Sequence, residues 1–243
     1  MWIKLGADLM VNLDSVSKEM ELFHCEKENE LYLNRSGLKD EMNLSSIYEK
    51  HGHLFREDLI QNIKAERQRA SGDRERRLRY LQQFLASNFL EMAVKELTDK
   101  FETMEAQETM RVDSEEIPFR FAAVRIANEP DRAVRGKIYA ARNSVIEKIN
   151  VILKERMQKL HETARKLDYE DYVALYEDVK RIDLYGLEKV MCDFIDRTDR
   201  LYKEKMEEFV RIELGIELEA AEKHDISYLF RGREFDGYFK KEE

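Results

Sequence analysis

Helix-breaking residues are scarce in this chain: 2 prolines and 9 glycines in 243 residues. Their scarcity excludes a fold of many short, punctuated elements and predicts a few long helices. Cysteine is nearly absent as well. Cys25 and Cys192 cannot build a disulfide framework, and each lies in an apolar helical pattern that predicts a small core residue. A reduced, cytoplasmic setting is the matching expectation. No stretch approaches the ~18 uncharged apolar residues a membrane span requires. Met1 to Val11 is apolar but short and holds Lys4 and Asp8, so it does not read as a signal peptide. Fixed-period repeats and low-complexity linkers are missing, which argues against a regular solenoid.

Cations are outnumbered. With 51 acidic residues against 42 lysines and arginines, the formal net charge is −9. General nucleic-acid binding and adhesion to anionic membranes both depend on net basic surfaces, so neither is expected. One basic run stands out, from Lys64 through Arg67, Arg69, Arg74, Arg76, Arg77 and Arg79. Glu66, Asp73 and Glu75 interrupt it, and a solvated helix junction is preferred over a phosphate-binding patch.

What remains is helical periodicity. A first helix is expected from about Asp14 to Arg35, with Leu13, Val16, Met20 and Phe23 on one face and Gly37 as its left-handed stop. A short helix capped by Ser45 follows, then one from Arg56 to about Ala70. Asp73 is placed to cap a long helix reaching about Met110, with Leu78, Leu81, Leu85, Phe89, Leu97 and Phe101 inward. Pro118 and the turn-like Asp113-Ser114-Glu115-Glu116 predict a hairpin or irregular segment near 111–120. Asn128-Glu129-Pro130-Asp131 reads as the start of a helix running to Lys166, with Asn128 as its cap. Asp168 and Asp183 are expected to cap two further helices, the second reaching Gly215. Short helices are expected at Asp225 to Phe230 and Glu234 to Phe239, and a frayed Lys240 to Glu243 ends the chain. The longest helices would span roughly 45 Å or more. The expected fold is therefore all-α: an elongated bundle of long antiparallel helices, with residues 1–243 forming a single helical unit.

Chemistry-bearing patterns are incomplete. His161-Glu162-Thr163-Ala164-Arg165 begins like the zinc motif H-E-x-x-H but ends in an arginine, which cannot ligate a cation. His161 thus reads as a packing or surface histidine. His51 and His53 stand two apart, about 200° around a helix, and would need carboxylates or thiols from elsewhere to hold a metal. Glu21 and His24 fit the Glu-x-x-His spacing of di-iron bundles once, without a second copy. Tyr169, Tyr172, Tyr176 and Tyr185 could line a peptide groove, although amphipathic packing explains them more simply. Phosphate-binding loops and the G-x-S-x-G elbow are absent. The sequence therefore nominates no catalytic residue and no metal ligand, and leaves substrate-binding residues unknown.

One resemblance goes further. Ile117-Pro118-Phe119-Arg120, then Ala127-Asn128-Glu129-Pro130-Asp131-Arg132, then Leu167-Asp168-Tyr169-Glu170-Asp171-Tyr172 and Tyr176 to Leu184 follow one another around a long helix. With Leu229-Phe230-Arg231 and Phe235-Asp236, this order resembles the N-terminal helical half of zinc metallopeptidases of the thimet oligopeptidase/oligoendopeptidase type. The resemblance implies a non-catalytic half forming one wall of a channel for short peptides. Zinc would come with a C-terminal catalytic half, and none is expected within this chain. Either the chain stops before that half or it is a relative that never had one. The alternative is a self-sufficient helical interaction or oligomerisation domain that binds a partner, or another copy, along an apolar face.

Overall fold

The computed structural model of the chain describes residues 2–5 and 9–238. The fold is all-α. Ten α-helices dominate the described residues, joined by short 3₁₀ turns and two small antiparallel hairpins. The first hairpin, β1 (Trp2–Leu5) with β2 (Leu9–Asn12), falls where the sequence reading assigned no element. The second, β3 (Thr109–Val112) with β4 (Glu115–Pro118), is the expected interruption near 111–120. Asp113 turns it with φ +54°, and Lys137 Nζ holds the Asp113 carboxylate at 2.9 Å. Pro118 ends β4, where its missing N–H is of no consequence to the ladder.

Residues 1–243, expected as one unit, divide into two compact units. The first comprises Met1–Ala106 and Ile149–Leu184, the second Gln107–Lys148 and Tyr185–Glu243. The division falls inside the uninterrupted helix α7 (Arg132–Lys166), so no linker marks it in the sequence.

The first unit packs α1 (Leu13–Arg35), α2 (Leu44–His51), α3 (Glu57–Arg69), α4 (Gly72–Ala93), α5 (Lys95–Gln107), the second half of α7, and α8 (Tyr172–Lys180). Phe23 is fully buried at its centre, with the rings of Tyr48, Phe55 and Phe84 at 5.2, 4.8 and 6.1 Å. Ile63, Leu85, Leu160 and Leu175 complete this core from four helices. The second unit holds the β3–β4 hairpin, α6 (Ala122–Asn128), the first half of α7, α9 (Leu184–Leu214) and α10 (Lys223–Leu229). Met206, Val210 and Leu229 form a small core there, with Leu214, Ile216 and Ile226 against it.

Several helix boundaries correct the sequence reading. Asn43, not Ser45, caps α2 through Ser46 N, while Asp99 accepts from Leu44 N and Ser45 N at 2.7 and 2.9 Å. A carboxylate from α5 thus completes the cap, a long-range contribution that local sequence does not reveal. The long helix expected from Asp73 breaks at Val94, giving α4 and α5. Beyond the break the buried face carries Thr98 and Glu102, while Leu97 and Phe101 are only partly buried. Distant arginines account for the polar choice: Arg156 Nε donates to Thr98 Oγ1 at 3.0 Å, and Arg35 pairs with Glu102 at 2.6 Å. Asp131, not Asn128, caps α7, accepting from Ala133 N and Val134 N at 2.8 and 3.2 Å. Asn128 instead closes α6. Asp171, not Asp168, caps α8, and Asp168 sits at φ +58° just beyond α7. Gly37 and Gly215, at φ +77° and +67°, stop α1 and α9 as expected. Cys25 and Cys192, expected in the core, are both exposed. Cys25 lies on the outward side of α1, and Cys192 on a stretch of α9 where residues 187–197 are all exposed. Expected fraying of Lys240 to Glu243 lies outside the described residues, as does the end of the Glu234 to Phe239 element. The 3₁₀ turn Arg233–Tyr238 occupies most of the latter span.

Candidate functional site

The histidines separate into unrelated roles. His161 is partly buried, and its Nδ1 accepts from Tyr172 N at 3.4 Å, so it helps start α8. Glu21 and His24 lie on an exposed stretch of α1, where His24 Nδ1 is 3.7 Å from Glu28. His51 and His53 do meet a common carboxylate, Glu19 of α1. His51 Nδ1 is 3.8 Å from it, and His53 Nε2 pairs with it directly. On its other side the buried His51 contacts Glu26 through Nε2 at 3.1 Å. Lys50, then His51, holds the Glu26 carboxyl below the usual carboxylate range. These contacts pin α2 to α1. Among the described residues, no three His, Cys, Asp or Glu side chains are grouped to hold a metal ion.

The basic run forms the junction of α3 and α4 and is laced to acids. Arg67 pairs with Asp178, Arg74 with Glu66 at 3.1 Å, and Arg76 with Asp73 at 3.0 Å. Arg181, left-handed at the end of α8, reaches Glu75 at 2.5 Å. A hollow of about 510 Å³ beside Gly72 is lined by Arg76, Arg79 and Arg181 but equally by Asp73 and Glu75. Tyr169 donates to Asp178 at 2.6 Å and accepts from Gln82 at 2.9 Å. Burial pushes the Asp178 carboxyl up, yet Arg67 and Tyr169 outweigh it and hold that carboxyl below its ordinary value. The rings of Tyr172 and Tyr176, 4.7 Å apart and tilted by 58°, pack against the first core. Tyr185, by contrast, is exposed on α9 in the second unit. The four tyrosines are therefore not one stripe.

Helix α9 is the helix expected from Asp183 to Gly215. In the structure, only the last third of that helix packs inward, through Met206 and Val210. Leu187, Met191, Phe194, Ile195, Leu201 and Tyr202 recur at three-, four- and seven-residue steps, which places them on one face. Each is 49–59% exposed. Phe194, Ile195, Leu201 and Tyr202, with Thr198, Asp199 and Lys205, line a shallow hollow of about 530 Å³. Ion pairs run along the same helix: Lys203 pairs with Asp199 at 2.8 Å and Lys205 with Glu208 at 2.9 Å. Half-exposed side chains of this size leave roughly 100 Å² each, so the six present on the order of 600 Å². That is at the upper end of the patch expected on a monomeric protein's surface. Val190, Phe209 and Ile212, at 63, 37 and 66% exposure, lengthen the same stripe.

Comparison with protein-family models, curated proteins and solved structures gives no match. No described helix is long and apolar enough to cross a membrane.

Proposed function

We propose that the chain is a helical protein-interaction module and that the apolar face of α9 is the surface through which it acts. The observation that carries this reading is the set of six large side chains, Leu187 to Tyr202, left about half exposed on one helix face. An interfacial membrane helix would carry a polar face dominated by lysine and arginine. On α9 acids and bases alternate instead, as in Asp193, Asp196, Arg197, Asp199 and Arg200. That pattern suits a protein partner. Size-exclusion chromatography in extracts of the source cells tests the reading. The wild-type chain is expected to migrate in an assembly larger than a monomer, and Phe194→Glu to return it to monomer size. Co-migration of both as monomers would refute it.

The resemblance to oligoendopeptidase-like metallopeptidases supports a second reading. Here the chain forms one wall of a peptide channel, and the α9 face docks against a zinc-binding half. The uncovered apolar face favours this partner as it favours any other. The segments that carry the resemblance act here as scaffold: Pro118 ends β4, Asp131 caps α7, and Tyr169 braces α8 through Asp178. His161 begins no complete zinc motif, because Arg165 stands where the second ligand would be. The chain's own residues therefore do not fit zinc, and no step of peptide hydrolysis is assigned to them. Incubating the purified chain with zinc and short fluorogenic peptides should give no cleavage. Metal-dependent cleavage by the chain alone would overturn the non-catalytic reading.

A further inference from the structure

In the sequence, the basic junction of α3 and α4 is interrupted by acids. The fold adds cations to it. Helix α8 packs against α4, and its end brings Arg181 to the hollow beside Gly72, 106 residues along the chain from its partner Glu75. Residues 64–79 hold seven bases and three acids, and residues 178–181 hold two bases and one acid. The junction is therefore net +5 on a chain whose total is −9. All of these residues belong to the first unit.

Several of these cations keep no acidic partner. Arg69 and Arg77 are exposed and pair with no acid among the described residues. Arg79 lines the hollow, and its Nε has no hydrogen-bond partner. Its Nη1 reaches the Val179 carbonyl at 3.5 Å, and no carboxylate among the described residues pairs with it. Two acids do line the hollow. Asp73 holds Arg76 at 3.0 Å, with the two side chains 79 and 61% exposed, and Glu75 holds Arg181 at 2.5 Å, with the arginine 61% exposed. Exposed pairs of this kind contribute little to stability, so a ligand carrying several negative charges can exchange for them. A carboxylate ligand would only replace Asp73 or Glu75 with its like. Phosphate oxygens suit the planar fork of arginine, which donates two parallel bonds to them.

We propose that this hollow binds a di- or triphosphate group, with Arg76, Arg79 and Arg181 as its cationic contacts. Its volume of about 510 Å³ suits a small ligand. The proposal is independent of the α9 reading, because it uses other residues in the other unit.

Isothermal titration calorimetry of the purified full chain with sodium tripolyphosphate tests it. Saturable binding is expected, weakening as salt is raised. Arg79→Gln and Arg181→Gln should each weaken it at least about tenfold, with helical circular dichroism unchanged. Arg111→Gln, on the hairpin of the second unit, should leave it as it was. Glu75→Gln frees Arg181 and removes a negative charge from the lining, so it should tighten binding by about threefold, the worth of one exposed pair. A variant that merely damaged the fold would not bind more tightly. A wild-type chain without saturable binding overturns the proposal, as does an affinity that both arginine variants leave unchanged, or weaker binding by Glu75→Gln. Equal affinity for citrate, which carries its charge on carboxylates, overturns phosphate as the ligand class.

Discussion

Asp225 is the residue whose loss should damage the second unit most. It is fully buried, and it receives Arg135 Nη2 at 2.7 Å, Arg132 Nε at 3.0 Å and Glu222 N at 3.0 Å. Arg135 is itself buried, lying over the Tyr228 ring at 4.1 Å with Nη1 on the carbonyls of Glu129 and Pro130. Asp225→Ala keeps those carbonyl bonds but leaves the guanidinium charge without its counter-ion. Breaking a buried pair from one side costs about 3–5 kcal/mol. The same change removes half of the capping box at the start of α10, worth about 1 kcal/mol by itself. Because the two losses share one carboxylate they will not add fully, and about 4 kcal/mol is expected. For a chain of this size that corresponds to a fall in Tm of about 8–16 °C. Urea denaturation with circular dichroism measures the loss. Asp225→Asn, which keeps an acceptor without the charge, should fall between wild type and alanine. Replacing both partners, Asp225→Leu with Arg135→Met, should recover part of the loss, because neither charge is then stranded. If Asp225→Ala lies within about 1 kcal/mol of wild type, the buried pair does not hold this unit together.

Three further outcomes follow from individual contacts. Gly136→Ala in α7 should stabilise the chain by about 0.5–1 kcal/mol in urea denaturation, because an added Cβ would meet His224 Nε2 at 3.5 Å, an ordinary contact. Loss of stability in that variant would mean the helix and His224 are packed more tightly than this. Acid should destabilise both units. Burial raises the carboxyl pKa of Asp225, but Arg135, the Glu222 amide and Arg132 outweigh it and lower the net value, as Arg67 and Tyr169 do for Asp178. A carboxyl depressed in the folded state contributes stability above its unfolded pKa, about 3.9, and that stability is lost as pH falls through the folded value. The urea midpoint should therefore drop below about pH 4, and less steeply in Asp225→Asn; an equally steep drop in that variant would remove Asp225 from the account. Finally, both exposed cysteines should react with a thiol reagent in native buffer; if either needs denaturant, its side chain is covered in solution.

Much of the fold could be read from the sequence. Gly37 and Gly215 marked helix ends, and Pro118 with Asp113-Ser114 marked the hairpin. Boundaries failed where the sequence offers two carboxylates or amides for one cap. In Asn128-Glu129-Pro130-Asp131 the proline lets the chain leave α6 before Asp131 starts α7, and in Asp168 to Asp171 the first acid takes a left-handed turn instead. The break at Val94 has neither glycine nor proline to announce it, and the polar face beyond it depends on Arg35 and Arg156, both distant in sequence. Glu19 could not be linked to His51 and His53 for the same reason. Division into two units was hidden because it falls inside the continuous α7.

The candidate surface was legible only as an amphipathic pattern. Periodicity establishes that one face of α9 is apolar; it does not say what covers it. Met206 and Val210 obey the same helical spacing as Phe194 and Leu201, yet the first pair closes a core and the second faces solvent. The difference lies in what the rest of the chain brings to the helix. Ile226 and Leu229 arrive beside the last third of α9 and are packed there with Met206 and Val210. Along residues 187–202 the large apolar side chains stay about half exposed. The core contact and the exposed apolar side chains therefore lie on different stretches of one helix. On the interaction reading proposed above, Phe194→Glu should abolish the larger assembly and leave the helical circular dichroism unchanged.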